Sequence, residues 1–424
     1  MVEPLPTSRI ALKLDALNFL SADVRNAFGP YINLLLVTER QWTQSQVGFL
    51  TTAGGLVGIA LQTPIGGFID VTPAKRGVIV LTMAVMAVCA LMIYGLSTFW
   101  PLALAMSLLA LAGDAFAPAV AALTLGLTTR EKLARRLGRN SAFDHGGNIA
   151  IALLAGVVGY LFTQSAVFLL VPVFAAFTAV ATLSIPAGAI DHDRARDLGR
   201  EGEANPMAEG FGVLFRTPAL IVFAISAAMF QFANAPLMPL VAQKLAFAHP
   251  KEATAMMSFC IIAAQGVMLP IALLAGYTAD RWGRKPLFLV AFLVLPIRAW
   301  LYNVSDGAFW LIGVQLLDGV GAGIFQALSP LVIADVMRGT GRFNLAQGVV
   351  ATCQGVGAAL SGLVTGEVVD HFGYSIAFVC LGVAAAGALA VFAIGMPETR
   401  DLVPERSPNG SAASTSPPIG GADN

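Results

Sequence analysis

Of the 424 residues, 57% are hydrophobic and only 12% charged, and the mean hydropathy is +0.75. Soluble domains carry about 25% charged residues, so the composition excludes a soluble globular protein and points to the bilayer. The formal net charge is zero, and no basic patch is large enough to hold nucleic acid.

Crossing about 30 Å of hydrocarbon takes about 20 helical residues. Twelve apolar stretches of that order follow one another: 15–38, 46–69, 78–98, 101–126, 139–162, 166–186, 214–243, 253–276, 286–304, 308–333, 344–367 and 373–395. They are numbered here as spans 1 to 12. They are long and lack the dyad alternation of a membrane barrel, so the predicted fold class is an all-α membrane protein. Span 1 is too long for a cleavable signal peptide and carries Asp23 and Arg25. Placing both termini in the cytoplasm puts 20 of the 25 Lys and Arg residues there. Only Arg40, Lys244 and Lys251 fall on the other side, and Arg25 and Arg298 lie within spans. That positive-inside bias sets the orientation and predicts a multi-pass protein of the cell's inner (plasma) membrane.

Segment 187–213 holds the charge-dense run Asp191-His-Asp-Arg-Ala-Arg-Asp. It reads as a cytoplasmic linker between an N-terminal six-helix bundle (1–186) and a C-terminal one (214–397). The tail 398–424 is rich in Ser, Pro, Gly and Ala and reads as disordered. The loops are too short for a soluble catalytic domain. Cys89, Cys260, Cys353 and Cys380 sit singly inside spans and read as packing residues, so no disulfide, metal or cofactor is expected. Small residues recur in Gly54-x3-Gly58, Gly319-x3-Gly323 and Gly362-x3-Gly366, where helices would approach closely.

Two loops look like copies of one another. Gly66-Gly-Phe-Ile-Asp70-Val-Thr-Pro-Ala-Lys75-Arg76 follows span 2, and Gly276-Tyr-Thr-Ala-Asp280-Arg281-Trp-Gly283-Arg284-Lys285 follows span 8. Gly, Asp and Lys align at a constant offset of 210, half the chain, which marks two related membrane halves. The loop resembles the cytoplasmic motif of the major facilitator superfamily, G-x-x-x-D-x-x-G-R-[KR]; the N-terminal copy has Pro73 where Gly is usual. The resemblance covers residues 15–395. It implies twelve transmembrane helices in two pseudo-symmetric six-helix halves, mostly as a monomer, with spans 1, 4, 7 and 10 lining a central cavity. It also implies a gate in which Asp70 approaches the start of span 11, near Arg342 and Asn344, and Asp280 the start of span 5, near Arg139 and Asn140. A carboxylate facing a helix N-terminus meets free N–H groups and a favourable dipole.

Ionisable residues inside the bilayer are functional candidates because burying them costs roughly 2.5–3.5 kcal/mol. Asp23 falls near the midplane on a polar stripe with Asn26, Pro30 and Asn33. Arg25 lies on another face and is expected to pair with Asp114 of span 4, leaving Asp23 to titrate. Span 10 carries Gln315, Asp318 and Gln326 near one face, and span 7 carries Gln231 and Asn234 ahead of Pro236 and Pro239. Asp144 reads as stabilised by the dipole at the start of span 5. His145 reads as a packing residue or a proton shuttle. Arg298 reads as snorkelling to the interface.

These features predict a secondary transporter moving a small organic molecule by alternating access, with protons as coupling ion. No phosphate-binding G-x-x-x-x-G-K-[ST] loop is present, and no clustered nucleophile or acid–base set points to an enzyme. In pattern the chain is similar to the 12-span proton-coupled exporters of drugs or metabolites. It lacks the span-4 Arg and the span-5 Gly-Pro motif that exporters often carry. A proton-coupled uptake permease for an organic acid or sugar is the alternative. Pro397-Glu-Thr-Arg400 resembles a motif found after span 12 in both classes.

Overall fold

The computed structural model describes residues 8–22, 24, 29–191, 217–338 and 343–400. Asp23, Arg25 and Asn26, most of the linker, and the tail after Arg400 lie outside the described residues. Every regular element among the described residues is helical.

Span 1 is two helices, Ser8–Ser21 and Gly29–Thr38. Spans 2 to 5 are Gln44–Val71, Lys75–Gly95, Phe99–Leu127 and Arg130–Leu161, and span 6 is Leu170–Ser184 after a 3-10 turn, Ser165–Leu169. Span 7 is split into Pro218–Asn234 and Leu237–Ala248. Pro236 lies at the break, lacks an N–H and cannot continue the first helix's ladder. Spans 8, 9 and 10 are Ala253–Trp282, Arg284–Leu301 and Ala308–Val336. Spans 11 and 12 form one stretch, Phe343–Gly395, broken at Gly373 (φ 83°, ψ 172°), a backbone conformation that favours glycine. Eight stretches are long and apolar enough, by length and composition, to cross a membrane. Counting the Gly373-broken stretch as two, and adding spans 1, 2 and 9, gives twelve helices in two six-helix halves.

Span 5 corrects its predicted boundary. Its helix begins at Arg130, not 139. The first turns, Arg-Glu-Lys-Leu-Ala-Arg-Arg-Leu, are too polar for a hydropathy reading but consist of strong helix formers. Asp144 therefore lies about four turns into the helix, and a dipole that acts within the first turn does not account for it.

The end of the bundle carrying Ser8, Asp191, Thr217 and Arg400 is called here the basic end; the opposite one is the far end. Two apolar cores fill the molecule. One takes residues of spans 1 to 6 together with Ala242, Ala246, Ala253, Met257 and Ile261 from the far-end parts of spans 7 and 8. The other fills the C-terminal half. It centres on Phe223, Phe230, Phe288, Phe292, Phe325 and Phe392, with Phe292 stacked on Phe392 at 4.6 Å and Phe230 on Phe325 at 4.7 Å. The halves thus share packing at the far end.

Candidate functional site

The two loop copies are alike in structure, but one residue out of the predicted register. Lys75 opens span 3 and Arg284 opens span 9; both are buried. Lys75 Nζ donates to the Ile69 carbonyl at 2.8 Å, and Arg284 Nη1 to that of Ala279 at 2.9 Å. Those carbonyls belong to the residues just before Asp70 and Asp280. Lys75 therefore corresponds to Arg284, not to Lys285. The shorter C-terminal loop needs Gly283 at φ 90°, where a Cβ would lie 2.5 Å from Glu398 Oε2. The longer N-terminal loop starts its helix from Ala74 at φ −88°, so no glycine is required beside Pro73. Arg76 donates to the Ile185 carbonyl at 2.6 Å.

Around Arg284 the basic end of the C-terminal half is tied together. Arg284 pairs with Asp280 at 2.8 Å and with Asp335 at 3.0 Å. Glu398 accepts the backbone N–H groups of Arg284 at 2.9 Å and Lys285 at 3.1 Å, so the Pro397-Glu-Thr-Arg400 motif caps span 9. Burial pushes the Glu398 carboxyl up, but these hydrogen bonds and the one from Arg400 outweigh it and hold it below its ordinary value. A depressed folded-state value stabilises above the unfolded one, about 4.3, and that contribution is lost as pH falls through the folded one. Glu398→Gln is expected to cost about 1 kcal/mol at pH 7. In thermal melts its deficit should shrink as pH falls below about 4.3 and through the lower folded-state value; a deficit constant with pH would contradict the cap.

The partners implied for Asp280 are engaged elsewhere. Asp280 is 88% exposed. Arg139 pairs with Asp15 at 2.6 Å, which also holds Arg136 at 2.5 Å, and Asn140 bonds Arg136 and Thr124. Spans 5 and 8 run antiparallel, with Gly159 against Thr254, Gly156 against Ser258, and His145 Nδ1 bonded to Gln265 Oε1 at 2.7 Å. The surroundings of Gly66, the side chains of Asp70 and Asn344, and all of Arg342, lie outside the described residues.

Among pairs of described residues, the hydrogen bonds between the halves all lie from the middle to the far end. At the far end Asp370 receives the N–H groups of Gln44 (2.9 Å) and Ser45 (2.7 Å) and the Ser45 hydroxyl (2.5 Å), a carboxylate on the N-terminus of span 2. Gln44 Nε2 donates to Gln243 Oε1 at 2.7 Å and to the Tyr374 hydroxyl at 2.9 Å. Tyr31 and Ser258 share a hydrogen bond of 2.9 Å between spans 1 and 8. Backbones touch along spans 2 and 11: a Cβ on Gly48 would lie 2.1 Å from the Gly362 carbonyl oxygen, and one on Gly366 2.4 Å from that of Gln44. Of the three small-residue motifs only Gly362/Gly366 joins the halves. Gly54 and Gly58 pack on span 4, and Gly319 and Gly323 on span 8. Asp370, Gln44 and Gln243 escaped the sequence reading. The one legible signal was Thr43-x-x-Gln46, the capping box that starts span 2.

Two cavities differ in their place: the larger is lined by the N-terminal half, the smaller by both halves. One of about 530 Å³ sits between spans 1, 2 and 4. Its lining includes Ile32, Thr51, Gly54, Met106 and Leu109, and among the described residues Asp114 is its one charged side chain. A smaller one of about 160 Å³ lies between the halves under Gln44 and Gln243, against Pro236 and Pro239. Thr51 lines both. The expected partner of Asp114, Arg25, lies outside the described residues, as do Asp23 and Asn26.

The remaining candidates divide. Arg298 does not snorkel: it is 1% exposed and forms an ion pair with Asp318 of span 10, while its Nη2 donates to Asn234 Oδ1 of span 7 at 2.9 Å. Snorkelling needs a lipid-facing position, and Arg298 shares the buried face of span 9 with Leu295, Ala299 and Tyr302. Gln315 is fully buried, Gln231 half-buried and Gln326 exposed, so span 10 does not present its three polar residues to one environment.

The sequence profile described as Major Facilitator Superfamily matches residues 14–295 and 266–420. An uncharacterised MFS-type transporter of Mycobacterium tuberculosis is 44% identical over 394 residues, 93% of this chain and 94% of that one. The multidrug efflux pump LfrA of Mycolicibacterium smegmatis is 27% identical over 208 residues, 46% of this chain and 40% of the pump. In structure the chain is similar to a mutant of the nucleoside transporter NupG, with a TM-score of 0.77 at 14% identity, covering 91% of this chain and 99% of that one. The chain belongs to the major facilitator superfamily of membrane transporters.

Proposed function

We propose that this transporter is a proton-coupled exporter of small organic molecules, drawn with its far end sealed and its cavity reached from the basic end. The observation that carries the reading is the position of the seal. Helix-to-helix contact and hydrogen bonds between the halves run from Gln44–Asp370 to His145–Gln265, and the Asp114 cavity lies beyond Thr51. With the basic end in the cytoplasm, as the Lys and Arg distribution favours, this is the state that loads solute from inside. The division at the linker, the cytoplasmic termini and action as a monomer belong to the same reading, since both cavities are complete within one chain. The likeness to LfrA supports export.

Asp114 is assigned to the solute or proton path as the carboxylate among the described lining residues of the larger cavity. Asp114→Asn is expected to lower transport at least roughly 100-fold, about 2.8 kcal/mol at 1.4 kcal/mol per factor of ten, with normal insertion. Unchanged flux in liposomes would remove it from the path. Coupling is tested by liposomes loaded with a pH dye, under clamped potential, with candidate solutes added outside. Lumenal alkalinisation is expected, protons leaving as solute enters. Acidification would replace export by the uptake permease.

A further inference from the structure

The C-terminal half contains a second polar path that the solute cavities do not touch. Arg298 and Tyr302 stand one turn apart on the inward face of span 9, and Gln315 and Asp318 one turn apart on span 10. The Arg298–Asp318 ion pair joins the two rows. Arg298, Tyr302 and Gln315 are buried to within 1% of completely. Arg298 Nε, the Tyr302 hydroxyl and both amide atoms of Gln315 nevertheless have no hydrogen-bond partner among the described residues, nor have the side-chain atoms of Asn303 at the far-end turn. From Tyr302 the row reaches the surface: Lys244 Nζ donates to the Tyr302 carbonyl at 3.4 Å and pairs with Asp306, 80% exposed, at 2.5 Å. The other neighbours are Asn234 of span 7, Cys260 of span 8, which lies in the electrostatic range of Asp318, and Phe378 of span 12, whose ring meets Tyr302 at 5.2 Å.

A buried polar atom left unpaired is destabilising, and folded proteins satisfy such groups with internal water. Here several such atoms stand in one row. We propose that Arg298, Tyr302, Asn303 and Gln315 line a hydrated proton port inside the C-terminal bundle, linking Asp318 to the far face. A hydronium at the far face gives up its proton and becomes water. Each water of the port passes one proton on, and the last adds to an Asp318 carboxylate oxygen, giving the carboxylic acid. Arg298 keeps its own proton throughout. Protons then reach the transporter from the far face while the solute path is sealed there.

The inference rests on the proton-coupled reading, so the experiment separates the two. In liposomes Tyr302→Phe keeps the ring against Phe378 and removes only the hydroxyl. It is expected to slow the solute-driven pH change about tenfold, the worth of one hydrogen-bonded link. Exchange of labelled for unlabelled solute, which needs no net proton, should stay within about two-fold of wild type. X-ray radiolytic footprinting of the unmodified protein is the second readout. Tyr302 should be hydroxylated by hydroxyl radicals that the X-rays form from neighbouring water, while the equally buried Phe288 and Phe292 are spared. A wild type that moves no protons with solute overturns the coupling reading and this inference with it. A coupled wild type with unchanged coupling in Tyr302→Phe, a parallel fall of coupling and exchange, or a Tyr302 as unreactive as Phe292, overturns the port alone.

Discussion

Gly48→Leu is expected to reduce transport roughly 100-fold while leaving insertion intact. Gly48 is where spans 2 and 11 touch backbone to backbone, and even the first added carbon would lie 2.1 Å from the Gly362 carbonyl oxygen. A carbonyl on a helix cannot turn aside as a flexible side chain can, so the far ends must separate. Overpacking of this kind costs about 1–3 kcal/mol, and at 1.4 kcal/mol per factor of ten the upper figure shifts the open–closed balance roughly 100-fold. Nothing inside either half is overfilled, so each bundle should still fold. Spin labels on the far ends of spans 2 and 11 should report a longer mean separation than in the wild type. Gly95, with nothing within 4 Å of an added Cβ, supplies the control: Gly95→Leu should be silent. Full transport by Gly48→Leu would show that the contact never opens and closes.

Arg298→Ala carries the second large effect, on stability rather than on gating. The guanidinium is the charge partner of Asp318 and a donor to Asn234, all between spans 7, 9 and 10. Truncating one member of a buried pair costs about 3–5 kcal/mol because the other charge is left uncompensated. The yield of monodisperse protein should collapse in Arg298→Ala. Removing both charges, as Arg298→Met with Asp318→Leu, should recover most of the yield, because an apolar replacement of a buried pair is often neutral or better. The recovered protein should exchange solute but not couple it to protons. No recovery in the double variant would mean that the pair is not the main cost.

Much of the architecture was written in composition and periodicity: long apolar runs, a half-chain repeat and one-sided basic residues require little tertiary knowledge. Helix ends were less legible. The Arg130 start of span 5 was hidden because hydropathy stops where charged helix formers begin. The repeat itself misled by one residue, since the alignment matched Lys75 to Lys285 while the carbonyls of Ile69 and Ala279 choose Lys75 and Arg284. Asp318, Asn234 and Gln315 stood out as polar residues in apolar spans. Arg298 stood out too, but was sent to the wrong surroundings because a position near a helix end does not say which way its face turns. Asp370 was invisible for a different reason. A carboxylate at the edge of a span is ordinary until a helix N-terminus from the other half is known to meet it.

The far-end seal is where the account is most directly tested. Ser45→Cys and Asp370→Cys, in a chain with Cys353 and Cys380 replaced, place two thiols where the Ser45 hydroxyl and Asp370 carboxylate now meet at 2.5 Å. Bridging them with a short bifunctional thiol reagent, cleavable by reduction, and following solute flux in liposomes asks whether that contact must open. Ready bridging that stops flux, and reductant that restores it, is the predicted result. Flux that continues unchanged through the bridged protein would contradict alternating access at this face.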